Sequence, residues 1–367
     1  MSERRADART QEDAQRQDAQ REDTQRQDAQ RDDLRRFGSQ SHWATLQEAG
    51  MSTGLWFLYF FHKLAGRRLY RALMVPVCWY FALTRPVARR ASMEFLARVG
   101  AVPADASRWR RWSATARHIR SFADALMDKA LVWTGGLDIR QARIEVDPRF
   151  DAAVDRGEGG VLVVAHLGNL EVLRAIGERL RRLQLHILVH TRHAQKFNNV
   201  LKRLNPESGE HLLQVTELDA ATATRLADAV SRGHFVVIAA DRVPVASGHV
   251  LDVPFLGQPA PLPIGPWVLA GVLKCPAYWL ACFKEPDDRY TLVCERIVER
   301  VELPRARRTE ALRTVMRQYA IQLEQACRRA PLAWFNFYPF WAPLPGRAPG
   351  TRARPHTAES APPSTEH

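Results

Sequence analysis

From residue 161 onward, short, largely apolar runs alternate with longer segments whose apolar positions recur every three to four residues. The short runs Val161–Ala165, Leu185–His190, Leu212–Thr216, Phe235–Ala239, Ala277–Lys284 and Tyr290–Arg296 predict strands. The intervening segments Leu170–Leu183, Ala194–Leu204, Ala220–Arg232, Ile264–Leu273 and Arg307–Arg329 predict helices. Strands with no polar face must be covered on both sides. The pattern therefore predicts an α/β fold with a mostly parallel central sheet flanked by helices. The last two strands are separated by a short polar turn and predict a hairpin. Upstream, residues 107–133 show helical periodicity, with Ser107 as the expected N-cap.

The segment before the sheet has a different pattern. Two aromatic-rich apolar runs, Leu55–Phe61 and Ala72–Leu83, are punctuated by clusters of arginine and lysine. Between Gly54 and Arg120 there are thirteen Lys or Arg against two acids, Glu94 and Asp105, so this stretch holds most of the chain's formal charge of +13. Nucleic-acid binding would use the charge but not the aliphatic runs, and no nucleic-acid-binding motif is present. Interleaved aromatics and arginines suit an anionic membrane surface better. Neither run reaches the roughly 20 residues a bilayer span needs, and the longer one contains Pro76. The expectation is a basic, amphipathic helical region that associates with the membrane peripherally or as a monotopic hairpin. The alternative is a pair of core helices with solvated basic faces.

The ends differ again. Residues 11–33 repeat with a period of five and offer no apolar stripe, and the tail after Trp341 is rich in Pro, Ser, Thr and Gly. The expected layout is a disordered arm (1–40), a membrane-associating helical region (41–135), an α/β domain (136–341) and a disordered tail (342–367). The polar first 40 residues contain no apolar centre of a signal peptide. Five cysteines (Cys78, Cys275, Cys282, Cys294, Cys327) form no CxxC pair and lie in apolar surroundings, which predicts buried, reduced thiols in a cytoplasmic protein.

Candidate chemistry gathers at the predicted strand exits, where open α/β sheets bind ligands. His166 follows the first strand, Thr191–His193 the second, and Asp241–Arg242 the fourth. In HLGNLE (166–171), Glu171 falls one helical turn inside the following helix, where it is expected to reach the imidazole. It would there fix the tautomer and stabilise an imidazolium. Taken alone, the motif also fits a histidine satisfied by backbone and a glutamate on a solvated face. His186 and His190 would stand about 13 Å apart along one strand, so no metal site is expected. No GxSxG, Walker A or GxGxxG occurs, which leaves hydrolase, P-loop and dinucleotide readings without support.

HLGNLE, Asp241, the VPFLG stretch at 253–257 and the PLAWFNFYPFW ending at 331–341 together resemble the lipid A biosynthesis acyltransferase family. This family lies within the wider HxxxxD/E glycerolipid acyltransferase group, and the likeness runs from about Trp43 to Trp341. The resemblance implies an O-acyltransferase carrying a fatty acyl chain from an acyl thioester, expected to be acyl carrier protein, to a hydroxyl of a membrane glycolipid or lipid A-like acceptor. It implies His166 as general base, Glu171 as its orienting acid and Arg192 as the donor to the oxyanion. Asn169, Asn198, Asp241 and Arg242 are assigned to substrate binding, with Asp241 placed to hold Arg192 or the acceptor head group. Arg242 stands where the lipid A enzymes carry glutamine, which points to a divergent branch. No cofactor, metal or nucleic-acid partner is implied, and the expected location is the cytoplasmic face of the inner membrane. The alternatives are a glycerophospholipid-type enzyme using acyl-CoA and a non-catalytic membrane-surface scaffold.

Overall fold

In a computed structural model of the chain, the described residues are 63–64, 66–179, 183–189, 212–214, 220–243 and 249–341. They all belong to one compact unit, Trp43–Trp341. The expected arm and tail, the run Leu55–Phe61 and the helix expected at Ala194–Leu204 lie outside the described residues.

The elements in chain order begin with three helices: α1 (residues 66–84), α2 (Pro86–Arg98) and α3 (Arg108–Trp133). Next come β1 (Arg143–Val146), α4 (Pro148–Asp155), β2 (Gly160–Val164), α5 (Leu170–Arg179), β3 (Leu185–Val189) and β4 (Leu212–Gln214). They continue with α6 (Ala220–Ser231), β5 (Phe235–Ala239), β6 (Val250–Phe255), β7 (Gln258–Pro263) and α7 (Gly265–Leu273). The hairpin β8 (Ala277–Lys284) and β9 (Tyr290–Val298) leads into α8 (Arg308–Arg329). Among the described residues, seven strands form one sheet in the order β1-β9-β8-β2-β5-β3-β4, in which only the β8–β9 pair is antiparallel. The expected mostly parallel sheet and its late hairpin are both present.

Both faces are buried, as the unbroken apolar runs require. Val161 and Val163 of β2, Val236 and Ile238 of β5 and Trp279 and Ala281 of β8 point into one core with α7 and α8. The alternate residues Leu162, Val164, Phe235, Val237, Tyr278 and Leu280 point into the other, with α4 and α5. The helices before the sheet share these cores: Phe95, Leu96 and Ala114 join the first, and Val132 and Trp133 the second. Ser107 caps α3 as expected, accepting a bond from the Arg110 amide at 3.3 Å.

An ionic knot fixes α1 against the sheet. The fully buried Asp128 of α3 is bound by Arg67 of α1, by Lys284 at the end of β8 and by the Tyr290 hydroxyl. Arg71 bridges Asp124 and Asp288. A buried carboxylate held by two cations and a hydroxyl is stable only as a set, because loss of one partner strands charge in a dry site.

Two elements depart from the sequence reading. Pro254–Gly257 and Pro259–Pro266, whose prolines by themselves suggest a rigid loop, lie mostly in a separate antiparallel ribbon in which β6 and β7 pair from Val250↔Pro263 to Phe255↔Gln258. Prolines argued against strands here, yet a two-stranded ribbon has two free edges that need no donated N–H. The short β1, charged at Arg143 and Glu145, was also not foreseen. It forms an edge of the sheet, parallel to β9.

Candidate active site

His166 and Asp241 face each other across neighbouring strands. The β2–β5 register ends at Val164↔Ala239, and each residue lies two positions further along its chain. His166 Nδ1 lies 2.8 Å from Asp241 Oδ1, and the His166 backbone N–H donates to Oδ2 at 2.8 Å. The Trp334 indole N–H also donates to Oδ2, at 2.9 Å. With a carboxylate on Nδ1, the neutral ring carries its proton there, and Nε2 keeps a lone pair. Among the described residues Nε2 makes no hydrogen bond, and the side chain is 31% exposed. A buried acid, an oriented imidazole and an outward-facing nitrogen are an arrangement that can take a proton from a hydroxyl.

Asp241 is 1% exposed. Burial alone would push its carboxyl up. The His166 imidazole, Arg242 and the Trp334 indole outweigh burial and hold it at about 2. The acid therefore stays ionised, as a group that stabilises an imidazolium must.

Glu171, the motif's own acid, does not bond the imidazole. Its oxygens are taken by Lys129 at 3.4 Å, Arg174 at 3.2 Å and the Trp133 indole N–H at 3.2 Å. Burial raises its carboxyl, but the Lys129 and Arg174 charges and the Trp133 bond bring it below the ordinary range. The cause is local. Asn169 is the N-cap of α5: its Oδ1 accepts from the Glu171 and Val172 amides, both at 3.2 Å, and its Nδ2 donates to the Ala125 carbonyl at 2.9 Å. This cap sets α5 so that Glu171 faces α3. Its charge also suits the positive helix N-terminus. The expectation that Glu171 orients His166 is thus corrected, and the Asn169 amide is spent on the turn.

The turn tolerates no side chain at Gly168. Its φ is +70°, and a Cβ there would stand 1.9 Å from the Cys282 carbonyl oxygen. Backbone bonds Gly168 N–H to Ala333 O (2.8 Å) and Phe335 N–H to His166 O (2.8 Å) stitch the turn to the aromatic ending. Most of that ending belongs to the core: Trp334, Phe335, Asn336 and Phe340 are all buried.

Arg242 is exposed beside Asp241 and donates one bond to the Phe335 carbonyl at 3.2 Å. Arg192, Asn198 and the rest of Thr191–His193 lie outside the described residues. Among the described residues, no group of three or more His, Cys, Asp or Glu side chains converges as metal ligands would.

A model of the bacterial lipid A biosynthesis acyltransferases matches residues 38–342. The chain belongs to that family. No curated protein matches it. The protein is therefore an acyltransferase of the lipid A type, and family members act on lipid acceptors in membranes. The His–Asp pair of this acyltransferase lies at the carboxyl edge of the sheet, where an α/β fold presents its ligands. Trp334 is the residue the sequence reading did not single out. Its signal was a tryptophan inside an aromatic cluster that outlasts the last helix, which does not reveal that its N–H meets Asp241.

Proposed function

We propose that this acyltransferase moves a fatty acyl chain from acyl carrier protein to a hydroxyl of a lipid A-like acceptor at the cytoplasmic face of the inner membrane. The His166–Asp241 pair, with Nε2 facing outward, carries the reading. His166 Nε2 takes the acceptor's hydroxyl proton as the oxygen attacks the thioester carbonyl. The tetrahedral oxyanion collapses with rupture of the C–S bond, and the imidazolium returns its proton to the departing thiolate. Arg192 is the family-matched donor to the oxyanion, and Asn198 and Arg242 are the candidate contacts to substrate. Direct transfer fits the five thiols, all free and buried. Burial pushes Cys275 and Cys78 up to about 11, so neither is a ready thiolate at neutral pH.

Incubation of the protein with acyl-acyl carrier protein and a lipid A precursor is expected to add one acyl chain to the acceptor, read by lipid mass spectrometry. Acyl-CoA is expected to be a poor donor. Efficient transfer from acyl-CoA to a glycerophosphate acceptor, with none to the glycolipid, would assign the protein to the other branch.

Membrane seating is supported by the first three helices. Among the described residues, no helix is long and apolar enough to cross a bilayer. Yet Val75, Tyr80, Phe81 and Leu83 of α1, Val87 of α2 and Trp109 of α3 are exposed. Trp79 stacks on Trp109 at 4.9 Å, which joins the end of α1 to the start of α3. Arg85, Arg90, Arg108, Arg110 and Arg111 accompany them in sequence, the mix an anionic interface attracts. Trp109 is about 14 Å along α3 from His118, near the site. The protein is expected to sediment with phosphatidylglycerol-containing vesicles and to be released by high salt. Charge reversal at Arg108, Arg110 and Arg111 should weaken that binding about a hundredfold or more, at about 1 kcal/mol for each of the three cations lost. Equal binding to neutral vesicles would contradict this seating.

A further inference from the structure

Asp241 does more than meet His166: among the described residues three donors hold it, and one of them reaches back into the helical region. Trp334 is fully buried and packs edge-on against Phe95 at 4.9 Å, Phe340 at 5.0 Å and Phe255 at 5.4 Å. Its indole N–H points at Asp241 Oδ2, and its backbone carbonyl meets His118 Nε2 at 3.0 Å. A carbonyl only accepts, so His118 carries its proton on Nε2. Its Nδ1, 2.9 Å from Ser92 Oγ, then accepts from that hydroxyl. Burial lowers His118 to about 4 against the opposing pull of the Trp334 carbonyl, so the ring is neutral at working pH and keeps this one tautomer. The donors all run one way, from Ser92 to His118 to Trp334 to Asp241, with His166 donating to the same carboxylate from the other side.

We propose that Trp334 is a positioning residue of the acyl-transfer reaction, holding Asp241 in register with His166, and that His118 braces Trp334 from α3. The proposal rests on the reading of His166 as the base. The physical reason is directional. Asp241 Oδ1 is free to serve the imidazole because Oδ2 is fixed by two N–H groups, and without the indole the carboxylate is held there by a single backbone donor. Among the described residues, the charged and titratable groups facing this pair are Arg242 beside it, Tyr319 and Cys327 from α8, and Tyr338 from the aromatic ending. Burial raises the last three, so they are neutral across the working range.

Trp334→Phe keeps an aromatic ring but deletes the donor. The expected result is a fall in kcat of about 10–100-fold with KM nearly unchanged, since a small misplacement of catalytic groups costs this much. Asp241 would also carry more uncompensated charge and favour the protonated pair, so the acidic limb of the kcat profile should move to higher pH. In an Asp241→Asn background the same change should cost little more, because the two act through one contact. If the phenylalanine variant folds poorly, the isosteric β-(3-benzothienyl)alanine at 334 removes the N–H with the shape intact, and the same three readouts apply. Wild-type kcat and pH profile in these variants, with His166→Ala inactive, would overturn the proposal and leave the base assignment standing. A loss that is additive with Asp241→Asn and leaves the pH profile in place would overturn it too, as purely structural. An active His166→Ala enzyme would instead remove the reading beneath it.

Discussion

His166→Ala is expected to lower kcat for acyl transfer by about 10²–10⁴-fold, the usual worth of a positioned general base. The fold should survive, because the turn is held by main-chain bonds that alanine keeps: the residue-166 N–H to Asp241 and the Phe335 N–H to the residue-166 carbonyl. The cost appears as lower stability at neutral pH. Asp241 is depressed to about 2, so it contributes stability that is present above its ordinary value near 4 and lost as pH falls through about 2. Removing the imidazole removes the foremost cause that lowers it, so part of about 2 kcal/mol should go at neutral pH. The melting temperature should drop modestly at pH 7 and converge with wild type near pH 2. Full acyl transfer by this variant in a membrane assay would refute the mechanism.

Asp241→Asn tests which acid serves the base. Oδ2 accepts two N–H groups, so the new amide must turn its oxygen to that position and its NH₂ toward His166 Nδ1. The imidazole would then accept at Nδ1 and carry its proton on Nε2, where the substrate's proton must go. An isosteric change thus supplies the wrong tautomer, a defect of order 10³–10⁴-fold in kcat by analogy with acid–histidine pairs elsewhere. Glu171→Gln is expected to cost no more than about tenfold in kcat, by loosening α5 from α3. Its main effect should be on stability, since Lys129 and Arg174 lose a buried partner. Kinetics of the two variants side by side decide the matter. Near-normal turnover by Asp241→Asn beside an inactive Glu171→Gln would return the role to the motif's own acid.

The contrast between these two acids shows where sequence reasoning stops. HxxxxE places a carboxylate close to a histidine along the chain, and proximity in sequence suggested contact. The rotation of α5 was decided by the Asn169 cap and by the Lys129 cation and Trp133 indole on α3, 42 and 38 residues upstream of Glu171. The cap residue stands in the motif, but its partners on α3 do not.

What the sequence determined by itself was periodic and local. Apolar runs such as Val161–Ala165 and Phe235–Ala239 had to be doubly covered strands. The 107–133 pattern behind Ser107 had to be a helix, and the run from Ala277 to Arg296 had to fold back on itself. It also marked His166, Asp241 and the aromatic ending as places of interest, through their positions just beyond regular elements. Only the tertiary structure decided the pairings. Strand order is a non-local property, set by which faces pack best, so nothing near His166 announces that β2 lies beside β5, 75 residues away at Asp241. That adjacency, and the return of Trp334 to the same carboxylate, turned separate residues into one site.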